Sequence, residues 1–207
     1  MYGFIERFFY LKKTGFELEQ ALDIGAYRGE FTNILKSVWP SCRIQQFEAD
    51  KSNQQYLQSD AIFELLGDQE VATNFYTIQD VGWGSTTGAS VYKENTEYYK
   101  DCIVKIREMK KLDSLVDMSG DWSRGLVKID TQGSEINILK GAKKFLEQCK
   151  PKFLLLECSY IEYNIGGPLV TDVFSYTKSI GYKPVDILDN SYLEDRLIQS
   201  DWLFEML

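Results

Sequence analysis

The fold is decided by the stretch Ala21-Leu22-Asp23-Ile24-Gly25-Ala26-Tyr27-Arg28-Gly29-Glu30-Phe31. An apolar run that carries one acid ends at two glycines four positions apart, and an amphipathic run follows. The pattern predicts a strand, a tight turn and a helix, because glycine permits a turn and a close approach that a side chain would block. The backbone amides that open such a helix point at whatever lies above the turn. We therefore expect a cradle for the polar end of a nucleotide-like ligand.

Two features of this turn narrow the choice of ligand. The carboxylate of Asp23 suits a cationic or hydroxylated group better than a pyrophosphate. The stretch also lacks a Gly-x-Gly-x-x-Gly sequence, so the dinucleotide fingerprint is absent. An ordinary strand-to-helix turn is the alternative at this stage.

The composition predicts one compact domain over residues 1–207 that does not bind nucleic acid. The chain has 207 residues, of which 44% are hydrophobic, enough for a core without disulfide or metal support. The 23 Lys and Arg residues against 31 Asp and Glu residues give a net charge of −8. This charge argues against nucleic acid or an anionic membrane as the partner, whereas small molecules and neutral sugars stay open.

Cysteine and histidine usage restricts the chemistry. Cys42, Cys102, Cys149 and Cys158 lie far apart with no Cys-x-x-Cys pair, which favours reduced thiols and a cytoplasmic location. The chain has no histidine, which excludes Ser-His-Asp triads, Cys-His dyads and His-ligated metal sites. Proton transfer is therefore left to Asp, Glu, Lys or Tyr.

The amino-terminal residues 1–19 are interpreted as a helical segment. Residues 1–13 are apolar and aromatic but are interrupted by Glu6 and Arg7, which predicts an amphipathic helix. No run in the sequence approaches the ~20 apolar residues that a membrane span needs.

Acids lie at the ends of the first three predicted strands. They are Asp23, Glu48 and Asp68, the last of which follows a strand predicted over 61–66. Glu48 comes about 25 positions after Asp23, the spacing at which βαβ units present an acid to the hydroxyls of a ribose. Ligands of open α/β sheets bind at the carboxyl ends of the strands, so we expect these acids to line one rim.

Residues 70–110 interrupt the alternation of strands and helices. Two stretches within them, 71–78 and 102–109, alternate like antiparallel strands and predict an inserted hairpin with a long loop. The aromatic side chains of this loop either face an acceptor or pack against the domain.

The run Val127-Lys128-Ile129-Asp130 predicts a core strand with a charged residue inside it. Parallel strands in such sheets are covered on both faces, so Lys128 needs an ionic partner or a role. A buried ion pair with a nearby acid is the simpler alternative. Further on, the sequence predicts a helix over 134–148, a strand that ends at Glu157 and two final antiparallel strands, 183–188 and 201–206.

Several of these segments together form a family pattern. They are Asp23-Ile24-Gly25-Ala26-Tyr27-Arg28-Gly29, Phe47-Glu48, Leu66-Gly67-Asp68, Gly84-Ser85, Lys111-Leu112-Asp113-Ser114-Leu115, Lys128-Ile129-Asp130-Thr131-Gln132-Gly133-Ser134-Glu135, Leu139-Lys140-Gly141-Ala142 and Leu156-Glu157. In these residues the chain resembles the FkbM-type S-adenosylmethionine-dependent methyltransferases, from about Leu22 to Asp201-Trp202-Leu203-Phe204.

The resemblance implies a class I methyltransferase fold, which is an α/β, Rossmann-like architecture. We expect a mostly parallel seven-stranded sheet with an antiparallel last strand, helices on both faces and the hairpin inserted after the third strand. The implied cofactor is S-adenosylmethionine, with S-adenosylhomocysteine as its product. The implied reaction is O-methylation of a hydroxyl on a sugar, a glycan or a polyketide-like product.

The resemblance also implies roles for individual residues. Asp23, Gly25 and the Ala26-Tyr27 backbone would hold the methionine end of the cofactor, Glu48 the ribose hydroxyls and Asp68 the adenine edge. The other residues assigned to the cofactor site are Arg28, Gly29, Ala49 and Asp130. The Tyr27-Arg28 pair departs from the Asn-x that is more usual in the family, and Arg28 is a candidate for the contact to the cofactor carboxylate.

Asp130 is the predicted catalytic residue, with Lys128 and Glu135 supporting it. Without histidine, we expect its carboxylate to take the proton of the acceptor hydroxyl or to orient that hydroxyl. A less favoured version places a divalent cation, Mg²⁺ or Ca²⁺, between Asp130 and Glu157. Predicted acceptor contacts are Trp83, Ser85 and Tyr160, in two segments expected to set specificity, 82–101 and 159–168.

Two other classes of function stay open on the sequence alone. One is a binding module on the same fold that has no catalytic activity. The other is a different nucleotide-dependent enzyme, such as a dehydrogenase, although the missing third glycine argues against it. The expected partner is a small-molecule or glycan acceptor, and the oligomeric state is left open.

Overall fold

The computed structural model describes residues 2–78 and 88–207 as an α/β fold built on two sheets. The strands are β1 (Gln20–Ile24), β2 (Arg43–Phe47), β3 (Leu65–Leu66), β4 (Ala72–Thr77), β5 (Ile103–Lys110), β6 (Gly125–Ile129), β7 (Phe153–Ser159), β8 (Tyr182–Leu193) and β9 (Arg196–Met206). The helices are α1 (Tyr2–Lys13), α2 (Glu30–Val38), α3 (Glu135–Gly141), α4 (Lys143–Cys149) and α5 (Val170–Ser179).

The main sheet has the strand order β2-β1-β6-β7-β9-β8. Strands β2, β1, β6 and β7 are parallel, and β9 runs antiparallel to both of its neighbours, β7 and β8. The register places Asp23 opposite Lys128, and Glu157 opposite Asp201. The parallel sheet with an antiparallel last strand, as predicted, is confirmed.

The strand expected over 61–66 is much shorter than predicted. Only Leu65 and Leu66 form a strand, and they pair with β5 rather than with β2. Ile62 makes one isolated parallel bridge to Phe47, so the described main sheet has six strands where seven were expected. The reason is that β5 of the insertion supplies the backbone partner for this segment, which draws it away from the edge of β2.

The insertion contains the antiparallel pair that its alternation predicted. Strands β4 and β5 pair over six positions, from Ala72 with Glu108 to Thr77 with Ile103. Together with β3 they make a second, three-stranded sheet in the order β3-β5-β4. Phe75 and Met109 are buried beneath it.

Helices cover both faces of the main sheet. On one face, Phe8 of α1 and Leu35 of α2 are buried against Leu155 of β7. On the other, Ile138 of α3 and Val173 of α5 pack with residues of the same strands. Adjacent strand residues alternate between these two cores, as expected for a sheet buried on both sides. None of the helices in the described ranges is long and apolar enough to cross a membrane.

The helix predicted over 134–148 is divided into α3 and α4. A Cβ on Gly141 would lie 2.0 Å from the carbonyl oxygen of Gly67, so the end of α3 lies directly against the backbone after β3. The helix ends at this contact, and the Asp113 carboxylate then accepts the first amides of α4, those of Lys144 and Phe145. Close packing between backbones therefore overrides a continuous helical pattern.

Candidate active site

A cavity of about 310 Å³ lies at the carboxyl ends of the parallel strands. One end is walled by Phe47, Glu48, Ala49, Leu65, Leu66 and Phe75. The other end is walled by Lys128, Asp130, Gln132, Glu157, Asp189 and Asp201. The glycine turn after β1 lies between them, and α1 contributes Phe4 to the wall.

The glycine turn has the backbone geometry that only a few residues tolerate. Gly25 has a φ of 75°, and a Cβ there would lie 1.9 Å from the carbonyl oxygen of Asp130. A side chain at this position would push apart β1 and the end of β6, so glycine is required by close approach as well as by φ. Tyr27 also adopts a positive φ of 49°, an uncommon conformation for a bulky residue.

The amides of Gly25, Ala26 and Tyr27 point back into the protein, although the resemblance assigned the Ala26-Tyr27 backbone to the methionine end of the cofactor. The N–H groups of Gly25 and Ala26 both donate to the carbonyl oxygen of Phe47 at 3.0 Å. The Tyr27 N–H donates to Oε2 of Glu48 at 2.7 Å. The end of β2 lies close enough to supply these acceptors, so the amides brace β1 against β2 instead of opening toward the cavity.

Glu48 lies in the cavity wall as predicted. It is 8% exposed, and its two oxygens accept the amides of Tyr27 and Asp50. Each carboxylate oxygen has a further lone pair, so the group can still accept two hydroxyl donors. Burial raises the pKa of Glu48 from 4.5 to about 7, more than its hydrogen bonds lower it.

Lys128 joins three groups behind the cavity. Its Nζ lies 3.5 Å from Oδ1 of Asp23, 3.3 Å from Oδ2 of Asp130 and 3.2 Å from the carbonyl oxygen of Gly25. Burial alone would lower the pKa of Lys128, but the surrounding carboxylates outweigh it and raise the pKa. Lys128 is therefore held as a cation, and the buried ion pair weighed as an alternative is present with a second carboxylate added.

Asp23 is fully buried and does not line the cavity. Its second oxygen, Oδ2, accepts the hydroxyl of Thr32 at 2.7 Å, and Thr32 in turn accepts the Gln46 amide. These bonds lock Asp23 between β1, β2 and α2. In this structure Asp23 positions Lys128 rather than facing a ligand.

Gln132 connects the acids at the other end of the cavity. Its Nε2 donates to both oxygens of Glu157, at 2.9 and 3.1 Å, and lies 3.5 Å from Oδ1 of Asp130. Gln132 has a φ of 57°, so the backbone adopts a disfavoured conformation to present this amide. The predicted neighbours Asp130 and Glu157 are thus joined through one side chain.

Glu157 also faces Asp201 across the β7–β9 pair. Burial and the nearby Asp130 carboxylate raise the pKa of Asp201 from 3.8 to about 7, and burial with Asp130 and Asp201 raises the pKa of Glu157 well above 4.5. Asp201 was not predicted as a site residue. A signal was available, because a strand predicted to be antiparallel begins at the rim where its parallel neighbours end.

The described residues do not provide a ligand set for the divalent cation that was placed between Asp130 and Glu157. In the part of the chain that the structure describes, no group of three or more Cys, Asp or Glu side chains has the arrangement of a metal site. The side-chain amide of Gln132, which is a donor, contacts both Asp130 and Glu157. The metal site stays a prediction without support from this geometry.

Glu135 lies behind the cavity wall instead of in it. Its Oε1 accepts the Thr131 amide at 3.0 Å, the Thr131 hydroxyl at 3.2 Å and the Gly133 amide at 3.2 Å. Burial raises its pKa from 4.5 to about 7. Glu135 therefore shapes the turn after β6, which carries Gln132.

Three further residues assigned to the cofactor are not brought to the cavity. Asp68 follows β3 on the side of Gly141, and Gly29 precedes α2 with a φ of 78°. The guanidinium of Arg28 lies over the rings of Tyr27 and Tyr56, at 5.1 and 4.7 Å. The structure thus places Arg28 in an aromatic stack beside the turn, away from the position where it would meet a carboxylate in the cavity.

The predicted acceptor contacts are only partly described. Trp83 and Ser85 lie outside the described residues. Tyr160 does not line the cavity, and its hydroxyl accepts the Trp202 indole N–H at 3.1 Å. Their roles stay predictions.

The two segments expected to set specificity contact each other. The Asn95 amide donates to the Tyr163 carbonyl at 2.7 Å, and the Ile165 amide donates to the Lys93 carbonyl at 2.8 Å. The Ser90 hydroxyl donates to the Gln132 carbonyl at 2.8 Å. The insertion is therefore fastened both to the loop after β7 and to the turn that holds the acids.

This sheet order, with a glycine turn after β1 and an acid after β2, is a class I methyltransferase fold. The sequence matches the family described as "Methyltransferase FkbM domain" over residues 23–184, which is most of the chain. The chain belongs to the FkbM methyltransferase family, as the sequence pattern predicted. A comparison with curated proteins found no match.

Solved structures with the same fold agree with this assignment. The FkbM methyltransferase from Methylobacillus flagellatus KT is 20% identical, with a TM-score of 0.57 over 91% of this chain. This chain spans only 43% of the length of that protein. An S-adenosylmethionine-dependent methyltransferase from Clostridium acetobutylicum ATCC 824 is 10% identical, with a TM-score of 0.50, covering 98% of this chain and 89% of its own. At these identities the likeness shows the fold alone.

Proposed function

We propose that the chain is an S-adenosylmethionine-dependent O-methyltransferase that acts on a hydroxyl of a small molecule or glycan. The observation that carries the proposal is the single cavity that joins Glu48, after β2, to Asp130, at the end of β6. In a class I fold these are the positions for a ribose contact and for the reacting end of the cofactor. Family membership supports the same reaction type.

The cavity wall fits the chemical groups of this cofactor. Glu48 offers acceptor lone pairs to the two hydroxyls of a ribose. Leu66 and Phe75 form an apolar wall beside it, which suits the flat face of an adenine. The anionic far end suits a sulfonium cation, because opposite charges attract strongly in a partly buried site.

The bound cofactor supplies a methyl group on a positively charged sulfur. The chain's own contribution is alignment, which accounts for much of the rate in such a displacement. Lys128 holds the Asp130 carboxylate in a fixed position by its 3.3 Å contact, and Gln132 fixes the neighbouring Glu157. An acceptor hydroxyl that donates to one of these carboxylates is oriented toward the methyl group.

The charges in the cavity wall restrict the class of acceptor. Seven Asp and Glu residues and one lysine line the cavity in the described part of the chain. The lysine is Lys128, whose ammonium already contacts Asp23 and Asp130. An anionic acceptor would meet mainly carboxylates, so we propose a neutral acceptor such as a sugar hydroxyl or a polyketide alcohol.

Calorimetric titration with S-adenosylmethionine and with NAD tests the cofactor assignment. We expect binding of the former alone. Transfer of a tritiated methyl group to a panel of methyl hexosides and polyketide alcohols then tests the reaction. Failure to bind S-adenosylmethionine would refute the proposal, and binding without transfer to any acceptor would favour a binding module.

The Asp130→Asn variant tests the residue assignment. We expect a loss of turnover of 100-fold or more with cofactor affinity kept within about threefold. Glu205→Gln is the matched control, because Glu205 is an acid on β9 that pairs with Lys152 and Lys183 away from the cavity. Near-normal turnover in Asp130→Asn with an unchanged pH profile would exclude this role.

A further inference from the structure

Glu157 and Asp201 form a carboxyl pair that no sequence motif assigns to the reaction. They lie opposite each other on β7 and β9, and both line the cavity. Residues opposite each other on antiparallel strands have their Cβ atoms about 5 Å apart on the same face of the sheet. Two carboxyl groups at this separation in a partly buried site disfavour each other's ionisation, and the nearby Asp201 raises the pKa of Glu157.

The charges around the pair come from every neighbouring strand. Lys128 belongs to β6 and Asp130 follows it directly, while Asp189 belongs to β8 and Glu135 to α3 behind the turn. Asp23 of β1 takes one contact of the lysine. Around Asp201, Asp130 and Asp189 are the acids and Lys128 is the cation.

The protonation of Asp201 is balanced close to neutral pH. Burial is the main cause, and it raises the pKa of Asp201 to about 7. Asp130 and Asp189 raise the pKa of Asp201 further, while Lys128 lowers it. At neutral pH Asp201 therefore exchanges a proton at little cost in free energy, and a new positive charge nearby favours loss of that proton.

We propose that the sulfonium charge of the bound methyl donor drives a proton from the Glu157–Asp201 pair, which then receives the proton of the acceptor hydroxyl. This inference rests on the proposed methyltransferase function. The cavity brings the sulfonium group and the Glu157–Asp201 pair together. A ligand whose ribose lies at Glu48 passes the Gly25 turn and extends over β6 toward β7 and β9.

The protons and electrons of this step balance. On binding, one proton leaves the pair for solvent as the sulfonium enters. During transfer, a lone pair of the acceptor oxygen forms the bond to the methyl carbon, and the electrons of the sulfur–carbon bond stay on sulfur. The hydroxyl proton passes to the pair. The charge of the cavity is then the same before and after transfer, because the sulfur becomes neutral as the pair is protonated.

The contacts of the three acids favour the Glu157–Asp201 pair over Asp130 as the proton acceptor. Asp130 is in an ion pair with Lys128 at 3.3 Å, so a cation already occupies one of its carboxylate oxygens. Asp201 has an acid opposite it on each neighbouring strand, Glu157 on β7 and Asp189 on β8. In this view Asp130 orients the hydroxyl and the Glu157–Asp201 pair accepts the proton.

Isothermal titration calorimetry tests the inference without knowledge of the acceptor. Binding of S-adenosylmethionine and of S-adenosylhomocysteine is measured near pH 7 in phosphate and in Tris, whose ionisation enthalpies differ. The two ligands differ by one methyl group and one charge, so their difference in released protons reports the sulfonium charge. With a pKa of about 7, we expect S-adenosylmethionine to release up to about half a proton more.

Substitutions of Asp201 and Glu157 test whether the released proton comes from this pair. Asp201→Asn removes the shared proton, so the difference between the two ligands should fall to near zero. Glu157→Gln should shrink it as well, and it serves as the second variant if Asp201→Asn does not fold. Glu205→Gln, on the same strand and outside the cavity, should keep the full difference.

The outcomes separate this inference from the proposed function. Equal proton release by the two ligands in the wild-type protein would overturn the inference and leave the cofactor assignment intact. A difference that survives in both Asp201→Asn and Glu157→Gln would also overturn it. If neither ligand binds, the proposed function fails and the inference fails with it. A cationic analogue with an amine in place of the methyl sulfonium should release protons as S-adenosylmethionine does.

Discussion

Replacing Glu135 with glutamine should make the stability of the fold less dependent on pH. Glu135 is 2% exposed, and its Oε1 accepts three hydrogen bonds from the turn at Thr131 and Gly133. Glutamine keeps an oxygen that can accept the same bonds but does not ionise. The difference in stability between wild type and Glu135→Gln therefore reports the free-energy cost of the buried charge, with the hydrogen bonds of the turn kept.

The magnitude follows from the pKa of Glu135, which is 4.5 ordinarily and about 7 in the fold because of burial. Below pH 4.5 the folded and unfolded chains both hold the proton. As the pH rises toward 7 the unfolded chain releases it first, so the free energy of unfolding falls and then levels off. At about 1.4 kcal/mol for each pKa unit, the loss is about 3.5 kcal/mol at most.

Urea unfolding followed by tryptophan fluorescence at about pH 5 and about pH 8 measures this effect. We expect the stability of Glu135→Gln relative to wild type to rise by about 2 to 3 kcal/mol between the two pH values. Glu147→Gln is the control, because Glu147 lies on α4 with its side chain 63% exposed. A difference that stays constant with pH in Glu135→Gln would refute the reasoning.

Three further substitutions test particular contacts. In thermal unfolding, Gly25→Ala should destabilise the fold by at least about 2 kcal/mol more than Gly15→Ala. Both glycines have a positive φ, but only at Gly25 would the new Cβ meet a backbone atom, the Asp130 carbonyl oxygen at 1.9 Å. At Gly15 the new Cβ would have nothing within 4 Å. Gly141→Ala should lower the melting temperature, although the same change in an open helix stabilises by about 1 kcal/mol, because its Cβ would lie 2.0 Å from the Gly67 oxygen. The affinity of the wild-type protein for S-adenosylhomocysteine should rise between pH 6 and 8, because Glu48, with a pKa of about 7, ionises over this range and then accepts the ribose hydroxyls. In Glu48→Gln the affinity should be about tenfold weaker and independent of pH. A Glu48→Gln variant with wild-type calorimetric affinity would remove the ribose contact from the proposal.

The elements that the sequence predicted well depend on local patterns. The apolar run at 20–24 and the helical spacing after Gly29 are each recognisable within one element, and β1 and α2 formed there. The strand expected over 61–66 failed because its partner, β5, comes about 40 positions later in the chain. A pairing choice between two distant partners leaves no periodic signal in the segment itself.

The candidate site was predicted by the same kind of rule, and its errors have the same cause. Glu48 and Asp130 follow parallel strands, so the rule that ligands bind at carboxyl ends places them correctly in the cavity. Asp201 lies in the middle of β9, and it reaches the cavity only through the register with Glu157. The Ala26 amide, assigned to the cofactor by the resemblance, instead donates to the Phe47 carbonyl, and this acceptor belongs to another strand that the local sequence does not reveal.

The register of β9 makes one charge of the cavity depend on distant packing. Asp201 faces the cavity because Leu203 and Phe204 are buried against β7 at positions set by alternation along the strand. Inserting or deleting one residue between 201 and 206 would turn the carboxylate to the opposite face and remove a charge from the cavity without any change in amino-acid identity. A change in length at the turn at 194–195, at the far end of the hairpin, leaves Asp201 opposite Glu157, because β9 also pairs with β7. Natural or engineered variation in length is therefore expected to accumulate at that turn and to be excluded from the last residues of β9.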